Sequence, residues 1–252
     1  MMPDEVLTIS QATIGYRKGR NTVKVVSGID AALRKGELVA LLGRNGAGKS
    51  TLLRTLISGL KPLEGRIASG NDSIERLSQA ELARLISVVL TDNSVPGIKV
   101  HELVALGRTP HTNFLGRLTG KDKRVVENAM ELTRIGHLAD RDVASLSDGE
   151  RQKCFIAKAL AQETPVIMLD EPTAYLDYPS KVHLFATLKG LATDKGKSVL
   201  VSTHDLEIAL KAADRIWFIE EGKLYQGTAA ELKESGVMES FMDDSGLDGW
   251  KG

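Results

Sequence analysis

Gly43-Arg44-Asn45-Gly46-Ala47-Gly48-Lys49-Ser50-Thr51 fits the pattern of glycine, four residues, then Gly-Lys-Ser/Thr without a mismatch. Those residue types at that spacing make a phosphate cradle. Glycines let backbone N–H groups turn inward where side chains would clash. The start of a following helix adds partial positive charge. Lys49 would reach the terminal phosphates, and the Ser50 hydroxyl would hold Mg²⁺. A second candidate lies far along the chain. Val166-Ile167-Met168-Leu169-Asp170-Glu171 is an apolar run ending in two carboxylates. A buried strand that delivers acids at its C-terminal end places them beside such a loop in an open α/β sheet. Asp170 suits Mg²⁺ through a bound water, and Glu171 suits a general base that polarises an attacking water. Taken alone, the pair reads better as solvated acids at a strand end.

The elements around the glycine loop are those it requires. Glu37-Leu38-Val39-Ala40-Leu41-Leu42 suits a buried strand, and Ser50 to Ile57 has a helical pattern. Before it, Val6–Ile9, Thr22–Val26 and Ile29–Leu33 read as three short strands. Gly15, Gly19-Arg20-Asn21, Gly28 and Lys35-Gly36 separate them, which predicts a small antiparallel sheet. Ser78 with Glu81 predicts a capped helix, and Ile86–Leu90 a strand. From Thr91 to Leu160 the apolar spacing is mostly helical, as in Asp122–Leu132. Alternating strands and helices then return, with Val166–Leu169 and Ser198–Ser202 as parallel core strands. The expected fold is α/β: a single domain whose nucleotide core, residues 1–90 and 161–252, holds a parallel sheet and the N-terminal antiparallel β part. Residues 91–160 form an inserted α-helical subdomain. The acidic tail, Met242–Trp250, is either frayed or anchored by Trp250.

Bulk properties narrow the partners. The chain has 252 residues, with 33 Lys+Arg against 33 Asp+Glu, so the formal net charge is zero. That balance gives no general attraction to nucleic acid or to an anionic membrane. No apolar stretch approaches the ~20 residues of a membrane helix, and the N-terminus has no secretory pattern. A cytoplasmic chain is expected. The one cysteine, Cys154, cannot form an internal disulfide and reads as a small buried hydrophobe.

Leu146-Ser147-Asp148-Gly149-Glu150 precedes the acidic strand, and Ser202-Thr203-His204-Asp205 follows it. In that order, with the P-loop first, the motifs resemble those of the ATP-binding cassette ATPases that power transporters. The resemblance covers the chain to about Gly227. It implies a P-loop NTPase fold, ATP as substrate, Mg²⁺, and a homodimer that forms on ATP binding. It implies membrane permease subunits as partners, a periplasmic binding protein indirectly, no nucleic acid, and a peripheral location on the cytoplasmic face of the membrane. Tyr16 looks like the aromatic that stacks on adenine, with a packed core tyrosine as the alternative. Gly43 and Asn45 to Thr51 would wrap the phosphates: Asn45, Gly46, Ala47, Gly48, Lys49, Ser50 and Thr51. Ser147 and Gly149 would contact the γ-phosphate held by the partner, and Asp177 resembles the loop linking two sites across a dimer. Lys49, Glu171 and His204 would carry hydrolysis.

Three positions, in two places, depart from the family pattern. Asp148 stands where glycine is usual, and Glu150 where glutamine often is. Thr91 stands in place of a glutamine and would offer a hydroxyl to metal-bound water in company with Ser50 and Asp170. Glu102–His111, Asp170–Asp177 and Ser145–Gln152 resemble the branch that imports iron chelates, haem and cobalamin. Export or lipid-extraction motors and soluble cassettes are the other classes. Arg108 and His111 by themselves read as a solvated helix end. The segment Asp92 to Arg117, with Val95 and Phe114 as apolar contacts, suits a groove for a short permease helix, or else local packing.

Overall fold

Runs of unbroken apolar residues form the middle of the larger sheet. Val39 and Leu41 enter one buried cluster, while Leu38, Ala40 and Leu42 enter another. A strand buried on both faces needs apolar side chains at every position, and this one has them. The computed structural model describes residues 4–19, 21–90, 97–112, 116–239 and 241. Thr91, Asp92–Pro96, Asn113–Leu115 and the tail from Met242 lie outside the described residues.

The strands are β1 (Glu5–Lys18), β2 (Asn21–Arg34), β3 (Leu38–Gly43), β4 (Glu64–Ser69), β5 (Asp72–Ser73), β6 (Ile86–Val89), β7 (Val166–Asp170), β8 (Ser198–Ser202), β9 (Arg215–Glu220) and β10 (Lys223–Gly227). The helices are α1 (Lys49–Leu56), α2 (Gln79–Leu85), α3 (Val100–Ala105), α4 (Gly120–Leu132), α5 (Asp148–Ala161), α6 (Tyr178–Lys195), α7 (Leu206–Ala212) and α8 (Ala229–Glu234). One antiparallel sheet has the order β2-β1-β4-β5. The other has the order β10-β9-β3-β8-β7-β6, parallel except for the β9–β10 pair. β3 lies between β9 and β8, so the loop after it opens beside the C-terminal ends of both.

The antiparallel part differs from the three short strands expected. Two strands of fourteen residues run through Gly15 and Gly28. The pairing passes from Ile9↔Ala31 to Ala12↔Ile29 and then to Ile14↔Val26. Each step sets one extra residue into one strand, first at Gln11 and then around Gly28. Gln11 has φ 47 and Gly28 φ 64, the left-handed backbone of a bulge. Bulges bend the ribbon without ending it, so glycines that read as breaks are bends.

α3, α4 and α5 pack on one another between β6 and β7 in the sequence. Their apolar faces share one buried cluster with β3, β7 and β8. Cys154 is buried on α5, and burial pushes its thiol up to about 12.

Arg108 is no solvated helix end; only 3% of it is exposed. Its Nε donates to Asp122 Oδ1 at 3.0 Å, and its Nη1 donates to Ala161 O at 2.7 Å and to Glu163 Oε2 at 2.9 Å. It therefore ties the turn after α3 to the start of α4 and the end of α5. His111 remains exposed, with Nε2 2.8 Å from Gln162 O. Bonds from the Thr119 hydroxyl and N–H, with Arg108 adding to them, hold the Asp122 carboxyl down at about 2. Arg108→Met is expected to lower the melting temperature by several degrees, because it strands Asp122 without its cation. Thermal unfolding followed by circular dichroism checks this.

Candidate functional site

The P-loop turns at Gly43, where φ is 148 and an added Cβ would lie 2.6 Å from Ile219 O. Only glycine allows β3 to leave the sheet so close to β9. Gly48 stands before α1 in the left-handed region, and no side chain caps that helix. Its first amides therefore remain for an anion. Asn45, Gly46 and Ser50 are exposed and Ala47 is half-buried. Residues 44–47 line a cavity of ≈ 710 Å³ together with Lys24, Val25, Glu220 and Gly222. Tyr16 is half-buried, and its hydroxyl shares a 2.8 Å hydrogen bond with Thr51 Oγ1 on α1. That bond sets Tyr16 beside the P-loop helix.

Lys49, Glu171 and His204 come together. Lys49 is 7% exposed; its Nζ donates to Gly43 O at 2.7 Å and lies 3.8 Å from Glu171 Oε1. Glu171 Oε2 is 2.7 Å from His204 Nδ1. One carboxylate thus bridges the P-loop lysine and the histidine. The parallel sheet makes this possible, because β7 and β8 end in register, with Asp170 paired to Ser202.

Glu171 also has φ 49, an uncommon conformation for a side-chain-bearing residue. Ser202 holds it there. Its Oγ accepts from Glu171 N–H at 3.0 Å and donates to Asp170 Oδ1 at 2.6 Å. Ser202 had no role in the sequence reading. Its signal was a hydroxyl at the end of an apolar strand, but only the register shows what it faces.

Ser147, Gly149 and Asp177 meet elsewhere, lining a cavity of ≈ 490 Å³ with Lys153, Tyr175 and Ser180. Its lining and that of the P-loop cavity share no residue. Ser147 caps α5. Its Oγ accepts from Glu150 N–H at 3.3 Å, while Glu150 Oε2 accepts from Ser147 N–H at 3.0 Å and from its hydroxyl at 2.8 Å. That reciprocal box gives Glu150 a structural task, and the Ser147 bonds hold its carboxyl below the usual range. Asp148 is paired with Arg151, one turn on, which offsets its charge locally. At Gly149 an added Cβ would lie 2.8 Å from Tyr175 O, so glycine lets the helix start approach the loop before α6. Asp177 caps α6, accepting from Ser180 N–H at 3.1 Å. Ser147→Ala is expected to cost about 1 kcal/mol of stability through the lost cap, measured by urea unfolding.

Among the described residues, no group of three or more His, Cys, Asp or Glu side chains could hold a metal ion by itself. Ser50 and the nearly buried Asp170 supply only hard oxygen donors. Thr91 lies outside the described residues.

Residues 26–174 match the model of the ABC transporter family. An uncharacterized ABC transporter ATP-binding protein of Methanocaldococcus jannaschii is 39% identical over 87% of this chain and 74% of its own length. The ferric enterobactin transport ATP-binding protein of Escherichia coli is 38% identical over 91% of this chain and 84% of its own length. Among solved structures, a dimeric ATP-binding cassette in a post-hydrolysis state, bound to ADP and Pi, superposes with a TM-score of 0.79 at 26% identity, covering 88% of this chain and 98% of that one. The phosphate cradle, the acidic strand end and the histidine beside it therefore sit in a chain that belongs to the ABC transporter family, as its ATP-hydrolysing cassette.

Proposed function

We propose that this cassette drives import of an iron chelate, or of the related cargoes haem and cobalamin, through membrane permease subunits. The observation that carries the import reading is the likeness to the Escherichia coli ferric enterobactin cassette over nearly the whole chain. No described helix is long and apolar enough to cross a membrane. In this reading permease subunits supply the spans, a periplasmic binding protein delivers the cargo, and the cassette sits at the cytoplasmic face. The segment from Asp92 to Arg117 is the proposed permease contact. Residues 1–90 and 161–252 act as the nucleotide core and residues 91–160 as the helical subdomain.

Two copies close head to tail around ATP, each P-loop against the partner's Ser147 and Gly149. The separation of the two cavities within one chain supports this, because a single copy does not bring Ser147 to its own P-loop lining. Asp177 lies in the lining that would face the partner.

The P-loop amides and Lys49 hold the phosphates, and Tyr16 packs the base. Ser50 and Asp170, with Thr91, would hold Mg²⁺, which when bound offsets phosphate charge. Glu171 takes a proton from the attacking water as its oxygen bonds to the γ-phosphorus. The bond to ADP breaks, and phosphate leaves. His204 holds Glu171 in place and contacts the γ-phosphate. Loss of the γ-phosphate contacts lets the pair open, and that opening is what the permease uses.

Uptake of labelled ferric siderophore, haem and cobalamin by a strain lacking this chain tests the reading. One uptake is expected to fail and to return with the wild-type chain but not with Glu171→Gln. Unchanged uptake of all three overturns the import assignment.

A further inference from the structure

The first turn of α6 is tied on two sides. Lys153 on α5 donates from Nζ to Ser180 Oγ at 3.1 Å. Lys181, the next residue, donates from Nζ to Asp205 Oδ1 at 2.7 Å. Both members of that ion pair are mostly covered, with side chains 19% and 16% exposed. A partly buried, well-aligned pair is much less screened than a surface one.

Asp205 stands at the N-cap of α7, where an aspartate ordinarily bonds the first helix amides. It makes no such bond. Its carboxylate is turned to Lys181 instead. Its own N–H donates to Thr203 Oγ1 at 3.0 Å, and Thr203 Oγ1 lies 3.3 Å from Thr173 Oγ1 on the loop after Glu171. Burial alone would raise the Asp205 carboxyl; bonds from Lys181 and Thr173 outweigh it and hold it below the usual range.

His204 immediately precedes Asp205 and is 58% exposed, so packing does little to orient its ring. Its side-chain contact with Glu171 is a single bond of 2.7 Å. The position of the ring must come from the backbone of residues 203–205, which is tied before the histidine by Thr203 N–H to Leu41 O at 3.3 Å and by Thr203 to Thr173, and after it by Asp205 to Lys181.

We propose that Lys181 is a positioning residue for ATP hydrolysis: by anchoring Asp205 it fixes His204 against Glu171. This rests on the hydrolytic roles given above to His204 and Glu171. In this role Lys181 acts through Asp205 and not on the reacting groups. Its effect is on how often the His204–Glu171 pair stands in reacting geometry, where a displacement of about 1 Å can cost up to about 10²-fold in rate.

Steady-state hydrolysis by full-length variants tests this. Lys181→Met is expected to lower kcat by roughly 10- to 10²-fold, with KM for ATP shifted less than about twofold. Lys181→Arg, which keeps the charge, is expected to recover most of the rate. The deciding measurement is Lys181→Met made in a His204→Ala chain. A residue that acts through His204 causes no further loss there, whereas a residue needed for the general fold multiplies the loss. A further tenfold fall in that background overturns the proposal, as does a KM effect without a kcat effect. If Lys181→Met unfolds, as judged by its melting curve, Lys181→Gln takes its place in the same cycle. A normal rate in His204→Ala alone would overturn the role of His204 instead, which separates the two failures.

Discussion

A Glu171→Gln chain is expected to bind ATP at near-normal affinity and to hydrolyse it about 10²- to 10⁴-fold more slowly, the span that loss of a general base removes. Geometry makes the substitution clean. Glutamine keeps the length of the side chain and an acceptor for His204, and the backbone bonds to Ser202 do not involve the side chain. What it loses is the ability to take a proton. The carboxylate is also the partner of Lys49 at 3.8 Å, so removing its charge frees the lysine for phosphate and does not weaken binding. With ATP held and not consumed, the variant is expected to accumulate as a dimer. Phosphate release measures the first effect, and light scattering with and without ATP measures the second. Turnover close to wild type would remove Glu171 as the base.

Lys49→Ala is expected to do the reverse, weakening ATP binding itself by about 10- to 10²-fold. A hydrogen bond to a charged group contributes roughly 1.5–3 kcal/mol, which corresponds to that range in Kd. Lys49 is almost fully covered and already points back along the loop to Gly43 O, so its amine needs only a small swing to meet a phosphate held there. Titration calorimetry with a non-hydrolysable ATP analogue checks it, with a melting curve to confirm that the loop still folds. The two variants separate binding from chemistry: one is expected to move Kd and the other kcat.

The motifs that hold chemistry were legible because each is local. The P-loop is one unbroken run, and Asp170, Glu171 and His204 sit at the ends of strands whose apolar character is plain. The Ser78 and Ser147 caps follow from local patterns too. What the sequence hid was mostly partners distant along it. Lys181 and Asp205 are 24 residues apart, and nothing in either neighbourhood marks them as a pair. Arg108 looked solvated because its acceptors lie 14, 53 and 55 residues on. Gly28 read as a strand end because a bulge and a turn need the same left-handed backbone. Ser202 needed the register between two strands before its two bonds could be seen.

Cys154 has a practical consequence. It is fully buried on α5, with its thiol pushed up to about 12. At pH 8 only about 10⁻⁴ of such a thiol is the reactive anion, and no solvent reaches it. It is the chain's one cysteine. Maleimide dyes should therefore leave the native protein unmarked. A cysteine introduced at an exposed position such as Glu75 would carry a fluorophore at that place alone, with the α5 packing intact. Opening and closing of the paired cassettes could then be followed by energy transfer between two dyes in otherwise unaltered protein.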